Sequence, residues 1–311
     1  MSKLLTVIIP AFNEEAMILK TISVISKILD DAEIPYELLF VNDGSKDDTW
    51  SLICQASAHN TKVRGVSFSR NFGKDPAIFA GLAHAKGDAC VVIDCDLQHP
   101  PEKIVEMYRM WEDGYQVVEG IKSSRGKENF LHTFASNAFY SLINRATKMN
   151  MSATSDFKLM DRKAVDALLT IPEQSPFFRA LSAWVGFKTG QVEFEVQERI
   201  AGETRWSVKS LIAYAITNIT GFSTTPMQIA TAFGGISFLL AIAAIILYAV
   251  FGAAASFWLP MLVIALFVLG GFTLTSMGVI AYYIGKIYRQ SMQRPRYIIG
   301  DTCGGVEQWI K

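Results

Sequence analysis

Short apolar runs alternate with amphipathic stretches along the first part of the chain. Leu4 to Pro10, Tyr36 to Val41, Val63 to Phe68 and Cys90 to Ile93 are mostly apolar, and each ends in turn-forming residues. Runs of this length predict strands buried in a parallel sheet. Between them the pattern predicts helices: one reaching about Asp30, one from Asp47 and Asp48 to about Ala58, and one from Asp75 to Ala85. Aspartates at a helix start suit the positive end of its dipole. Strands alternating with such helices predict βαβ units and an α/β fold with a mostly parallel sheet. Further on the pattern predicts a strand at Gln116–Glu119, a helix of mixed face from Phe130 to Met149 and an alternating strand from Val192 to Ile200.

The pattern then changes. From Ser210 to Gly285 there is no Asp, Glu, Lys or Arg. Met227–Phe251 and Leu259–Tyr288 are each longer than the roughly 20 apolar residues that cross a bilayer. Trp206 to Gly221 reads as an interfacial helix. Four segments are expected: a catalytic domain over 1–205, an interfacial linker over 206–226, a two-helix membrane domain over 227–289 and a basic tail over 290–311. Lys209 precedes the first span, and Lys286, Arg289, Arg294 and Arg296 follow the second. By the positive-inside rule both ends and the catalytic domain lie in the cytoplasm, at the inner membrane. Gly234-Gly235 and Gly270-Gly271 are candidate points of close helix packing.

Composition agrees with this division. Half of the residues are hydrophobic and mean hydropathy is +0.26, high for a soluble enzyme, while a net charge of +0 gives no field that would draw nucleic acid. Cys54, Cys90, Cys95 and Cys303 have no zinc spacing and read as reduced thiols. No signal-peptide pattern stands at the N-terminus. GxGxxG and GxxxxGK[ST] are both missing, which argues against dinucleotide and P-loop sites.

The candidate chemistry sits at the strand ends. The run Cys90–Ile93 stops at Asp94-Cys-Asp-Leu-Gln-His-Pro100. Carboxylates at the carboxyl end of a parallel strand face the crevice where open α/β sheets bind ligands. Asp94 and Asp96, with the Gln98 carbonyl, suit a hard cation, Mg²⁺ or Mn²⁺, whose shell substrate phosphates complete. A solvated acidic turn is the plain alternative. Glu14 and Asp43 stand near two other strand ends.

Together, Val7-Ile-Ile-Pro-Ala-Phe-Asn-Glu-Glu15, Val41-Asn-Asp-Gly-Ser45, Ser69-Arg-Asn-Phe-Gly-Lys74 and the Asp94 segment resemble family 2 glycosyltransferases of GT-A fold. The polyprenyl-phosphate branch is most similar: bactoprenol glucosyltransferases and, more distantly, dolichyl-phosphate mannose synthases. The resemblance covers essentially the whole chain. It implies that Pro10, Phe12, Glu14 and Asp43 line the nucleotide pocket with Asp94, and that Asp94, Asp96 and Gln98 surround the metal. Lys74 is a candidate point charge on the nucleotide; a solvated loop lysine is the alternative.

Asp96 and Asp156 are the candidate catalytic residues. Ser155-Asp-Phe-Lys-Leu-Met160 resembles the family's DFRLM segment, which places Asp156 as the base; a helix cap is the alternative. A lipid phosphate is already an anion, so that base mainly orients the nucleophile. Lys122 and Arg125 are candidate acceptor-phosphate contacts, with ordinary loop charge as the alternative. His132 stands where the family often has Arg or Lys, and Ser136 lies one turn on. Arg199 and Arg205 match the family's RxxGxSK loop, with Thr204 for Ser and Arg205 for Lys, and arginine suits bidentate phosphate binding. Gly202 stands at the glutamine of the processive QxxRW motif, which argues against a polymer-extruding synthase.

The resemblance implies an inverting transfer of a hexose, glucose from UDP-glucose first, onto undecaprenyl phosphate for surface polysaccharide or wall glycosylation. A separate flippase and a later transferase would use the product, and a homo-oligomer fits the reading. UDP-N-acetylglucosamine as donor, a protein or glycan acceptor, and a nucleotide-binding scaffold without activity are the competing readings.

Overall fold

The computed structural model describes residues 3–122, 155–174, 176–195, 220, 224–251 and 258–306. It divides into two compact units, 1–205 with 294–311, and 206–293.

The first unit is built on one sheet. Its strands are β1 (Leu5–Ala11), β2 (Tyr36–Asn42), β3 (Val63–Phe68), β4 (Ala89–Val92), β5 (Val117–Lys122), β6 (Lys158–Asp161), β7 (Thr189–Phe194) and β8 (Ile299–Cys303). Helices α1 (Ile18–Asp31), α2 (Thr49–His59) and α3 (Lys74–His84) connect the first four strands. The predicted elements of this half appear within a residue or two. Strand order is β7-β5-β6-β4-β1-β2-β3-β8. β1 pairs in parallel with both β2 and β4, and β2 with β3. The order therefore reverses between β1 and β4. Their carboxyl ends frame the crevice that such a reversal creates.

These strands form because both sheet faces are covered. Every residue of β2, β3 and β4 is buried. The helices sit close: a Cβ on Gly81 of α3 would stand 2.2 Å from Cγ2 of Ile8, so only glycine permits this approach to β1. The charged strand residues are paired. Glu37 accepts from Thr6 Oγ1 at 2.6 Å and from Arg64 Nη1 at 2.6 Å, and all three residues are buried.

The second half of the sheet is mixed. β6 runs antiparallel between β4 and β5, and β7 pairs in parallel with β5. Helices α4 (Lys103–Glu112), α5 (Arg162–Leu169) and α6 (Phe178–Trp184) pack here. Of the strand expected over 192–200, the structure describes Thr189–Phe194 and Glu195; the rest lies outside the described residues, as does the helix expected over 130–149.

The expected basic tail proves different. Ile299–Cys303 is β8, antiparallel to β3. Tyr297 stacks on Phe68 with ring centroids 5.0 Å apart. Arg296 donates from Nε to the Glu173 carbonyl at 2.8 Å and from Nη2 to the Ile171 carbonyl, and lies over the Phe79 ring at 5.0 Å. Hydrogen-bonding groups left open along β3 recruit the returning chain, so 294–306 belong to the catalytic unit.

The second unit holds α7 (Thr225–Phe251) and α8 (Trp258–Ser291). Pro226–Ile246 and Met261–Ser291 have mean hydropathies of 2.4 and 2.2, and their side chains are not buried by protein. Both helices are long and apolar enough to cross a membrane. Phe233 and Phe272 meet across them at 5.4 Å. The glycine pairs do not act as packing points: a Cβ at Gly234, Gly235, Gly270 or Gly271 would meet nothing within 4 Å. Most of the interfacial segment 206–226 lies outside the described residues.

Candidate active site

The loops that follow β1, β2 and β3 are knitted to one another. Asn13, at φ 55°, accepts from Lys46 N at 2.9 Å, and its own amide donates to Ser45 Oγ at 2.9 Å. Asn42 donates from its amide side chain to Ser67 Oγ at 2.8 Å and accepts from Ser45 N at 3.1 Å. Gly44 has φ 66°, and a Cβ there would stand 2.4 Å from the Arg70 carbonyl carbon. Asp43 is 4 % exposed and accepts from Phe72 N at 2.7 Å and Gly73 N at 2.9 Å. Burial pushes its carboxyl above the usual range in spite of those amides. Asp43 thus builds the loop wall. Beside it Pro10 and Glu14 are half-buried, and Phe12, 39 % exposed, presents a ring for a planar group to lie against.

At the end of β4 the chain turns through Leu97, at φ 56°. The Asp96 carboxylate accepts from the Gln98 backbone amide at 3.1 Å. Cys95 lies in the turn after β4, not in the strand, and is buried with its Sγ 3.8 Å from Thr21 Oγ1. Burial pushes its thiol up to about 12, and all four cysteines are free.

Lys74 begins α3 and points across to Asp94. Its Nζ lies 2.7 Å from one Asp94 oxygen and 2.9 Å from the other. The same Nζ is 2.8 Å from Asp156 Oδ2. Asp156 is 6 % exposed, two residues before β6. Arg179, in the first turn of α6, grips it with Nε on Oδ1 at 2.7 Å and Nη2 on Oδ2 at 2.9 Å. Burial disfavours charge on Asp156, yet the opposite charges win, and Lys74, its side chain 40 % exposed, gains from both carboxylates. Lys74 is held above the usual lysine range, and Asp156 well below the usual carboxylate range. Sequence reasoning missed Arg179. The only signal was a lone arginine in an apolar stretch.

Two further groups line this corner. Asp75 Oδ1 accepts from Phe178 N at 2.9 Å, capping α6, and burial raises its pKa to about 6. His99 stacks on Phe157 at 5.2 Å, with Nδ1 3.8 Å from Asp94 Oδ2, and burial lowers its pKa.

The structure therefore brings Asp94, Lys74 and Asp156 into contact, with Asp96 at the same strand end. Lys122 is exposed at the end of β5. Arg125, His132, Ser136, Arg199 and Arg205 lie outside the described residues. Among the described residues no group of three His, Cys, Asp or Glu side chains is gathered as a metal cage. Asp94 and Asp96 offer hard oxygens at one strand end, which fits a cation whose remaining ligands come from a substrate.

A mostly parallel sheet whose strand order reverses between β1 and β4 thus presents carboxylates on the crevice where open α/β sheets bind ligands. The glycosyl transferase family 2 model matches residues 6–169. The glycosyltransferase YkcC of Bacillus subtilis is 38 % identical over 304 residues, covering 96 % of this chain and 94 % of that protein. The bactoprenol glucosyl transferase of Shigella phage SfV is 37 % identical over 300 residues, covering 95 % and 97 %. Among solved structures, glucosyl-3-phosphoglycerate synthase of Mycobacterium tuberculosis, with Mn²⁺, UDP-glucose and phosphoglyceric acid, shares the fold at a TM-score of 0.51 and 22 % identity, covering 70 % of this chain and 78 % of that one. The chain belongs to glycosyl transferase family 2 and is a glycosyltransferase.

Proposed function

We propose that the protein transfers a hexose, glucose from UDP-glucose in the first instance, onto undecaprenyl phosphate at the cytoplasmic face of the inner membrane. The observation that carries this reading is one chain combining two membrane-length helices with a crevice where Asp94, Lys74, Asp156 and Arg179 interlock. Its similarity to bactoprenol glucosyl transferases along 95 % of its length supports the lipid acceptor. The positive-inside bias supports the orientation.

In this reading Phe12 and Asp43 with its loop receive the nucleotide, and Asp94, Asp96 and Gln98 would hold Mg²⁺ or Mn²⁺. When bound, the cation offsets negative charge that develops on the departing nucleoside diphosphate. Lys74 adds a positive charge at the same place. Asp156 faces the acceptor side. It accepts from Arg179 and Lys74 and is held ionised, so it shapes the approach of the incoming phosphate nucleophile beside Lys74 more than it removes a proton. Lys122 and Arg125 with His132 and Ser136, and the arginines Arg199 and Arg205, are assigned to the acceptor phosphate. A single displacement inverts the anomeric centre, giving a β-linked lipid from an α-linked donor. The product then passes to a flippase and a later transferase.

The test is transfer from radiolabelled nucleotide sugars to undecaprenyl phosphate by the purified full chain with Mg²⁺ or Mn²⁺. Label in the lipid from UDP-glucose, lost in Asp96→Ala and Asp156→Ala, is the expected result. Label from UDP-N-acetylglucosamine alone would change the donor. No labelled lipid from any donor, with UDP still bound, would overturn the lipid acceptor in favour of a protein or glycan.

A further inference from the structure

The Asp156 carboxylate is held more tightly than a group that simply takes a proton requires. Arg179 engages both of its oxygens, and Lys74 engages Oδ2 as well. A guanidinium fork fixes the plane of a carboxylate, which a single ammonium cannot do.

Arg179 is itself braced. Lys158 lies two residues beyond Asp156, is fully buried, and pairs with Glu119 at 2.5 Å. The same Nζ reaches Ser182 Oγ at 2.7 Å and the Arg179 carbonyl at 3.5 Å. Ser182 Oγ also donates to that carbonyl at 3.1 Å. At the start of α6, Asp75 caps the Phe178 amide. The helix turn that carries Arg179 is thus pinned at its start and along its inner side. The charged groups around Asp156 are Lys74, Asp75 and Asp94 from the α3 and β4 side, and Lys158 and Arg179 from β6 and α6, with His99 nearby.

We propose that Arg179 is a positioning residue that fixes the Asp156 carboxylate beside Lys74, so that Arg179 and Asp156 act as one unit in the transfer. The inference rests on the reading of Asp156 given above. It gives Arg179 no contact with substrate. Its whole effect passes through Asp156.

A double-variant cycle on the full chain in detergent tests it, with kcat and donor KM measured for Asp156→Asn, Arg179→Ala and the pair. Each single variant is expected to lower kcat about 100-fold, within the range that a positioned acid–base group supplies, with donor KM nearly unchanged. The pair is expected to be no worse than Asp156→Asn alone, because residues acting as a unit are not additive. Millimolar guanidinium should partly restore Arg179→Ala and leave the pair unaffected. A merely structural role would not give that selective rescue. If Arg179→Ala does not fold, Arg179→Lys, which keeps the charge and loses the fork, takes its place in the cycle. Losses that multiply, or an unimpaired Arg179 variant beside a damaged Asp156→Asn, overturn the inference alone. An unimpaired Asp156→Asn removes the role of Asp156, and the inference with it.

Discussion

Asp75 offers the most direct measurement of how burial and charge are balanced near the site. Its carboxyl is raised from 3.8 to about 6, chiefly by burial, with the nearby Asp156 charge adding to the rise. A group whose folded pKa exceeds its unfolded value favours the folded state fully below the unfolded pKa. That contribution falls as pH rises from about 4 through 6 and is gone above it. The gap between 3.8 and about 6 corresponds to roughly 3 kcal/mol of lost stability at neutral pH. Asp75 keeps some contact with solvent, so about 1–2 kcal/mol is the expected size. Asp75→Asn removes the charge and keeps an oxygen to accept from Phe178 N. The variant should melt about 2–8 °C higher than wild type at pH 8. The difference should shrink steadily as pH falls from 6 towards 4. Thermal melting of the two full-length proteins in one detergent, across that range, is the assay; comparing the pair cancels the titration of other groups. A variant that melts lower at pH 8, or a difference that ignores pH, would refute the reasoning.

Lys158→Met leaves Glu119 buried without its partner and should cost about 3–5 kcal/mol in chemical or thermal unfolding. Adding Glu119→Leu should recover much of that loss, and no recovery would show that the pair is not the cause. Arg296→Ala removes two hydrogen bonds to carbonyls and the contact with Phe79. About 2 kcal/mol should be lost, with the melting midpoint falling about 4–8 °C and UDP affinity little changed. Lys74→Met uncovers the Asp94 carboxylate. Mn²⁺ titrated by electron paramagnetic resonance in the absence of nucleotide should bind several-fold tighter than to wild type, whereas transfer should fall; weaker Mn²⁺ binding would mean that Lys74 does not compete for Asp94.

The first four strands were legible because each is an uninterrupted apolar run, and their carboxylates followed from where those runs stop. β6 was not, since a strand containing lysine contradicts that pattern until Glu119 appears 39 positions earlier in the chain to pair with it. β8 contains Gly300 and Asp301, poor strand formers, and it exists because β3 offers an open edge. Its residues read locally as a charged tail. Arg179 lies 23 positions beyond Asp156 with no acidic neighbour of its own, so only the tertiary placement of α6 reveals the pair. Asp75 stands in the first turn of α3 as expected, and its oxygen also accepts from the first residue of a helix 103 positions later, which local pattern does not show.

These misses share a cause that bears on the chemistry. Carboxylates at strand ends are placed by local pattern, whereas the cations that neutralise them arrive from other elements and are placed by tertiary packing. Asp94 and Asp156 come from β4 and the lead into β6; Lys74 and Arg179 come from α3 and α6. Asp94 and Asp156 are matched by Lys74 and Arg179, with Asp96 at the same strand end and Asp75 behind them. A nucleoside diphosphate brings further negative charge, which Lys74 cannot neutralise while it also serves Asp94 and Asp156. Asp94 and Asp96 would hold a divalent cation that supplies this charge, while Arg179 and Lys74 keep Asp156 in place.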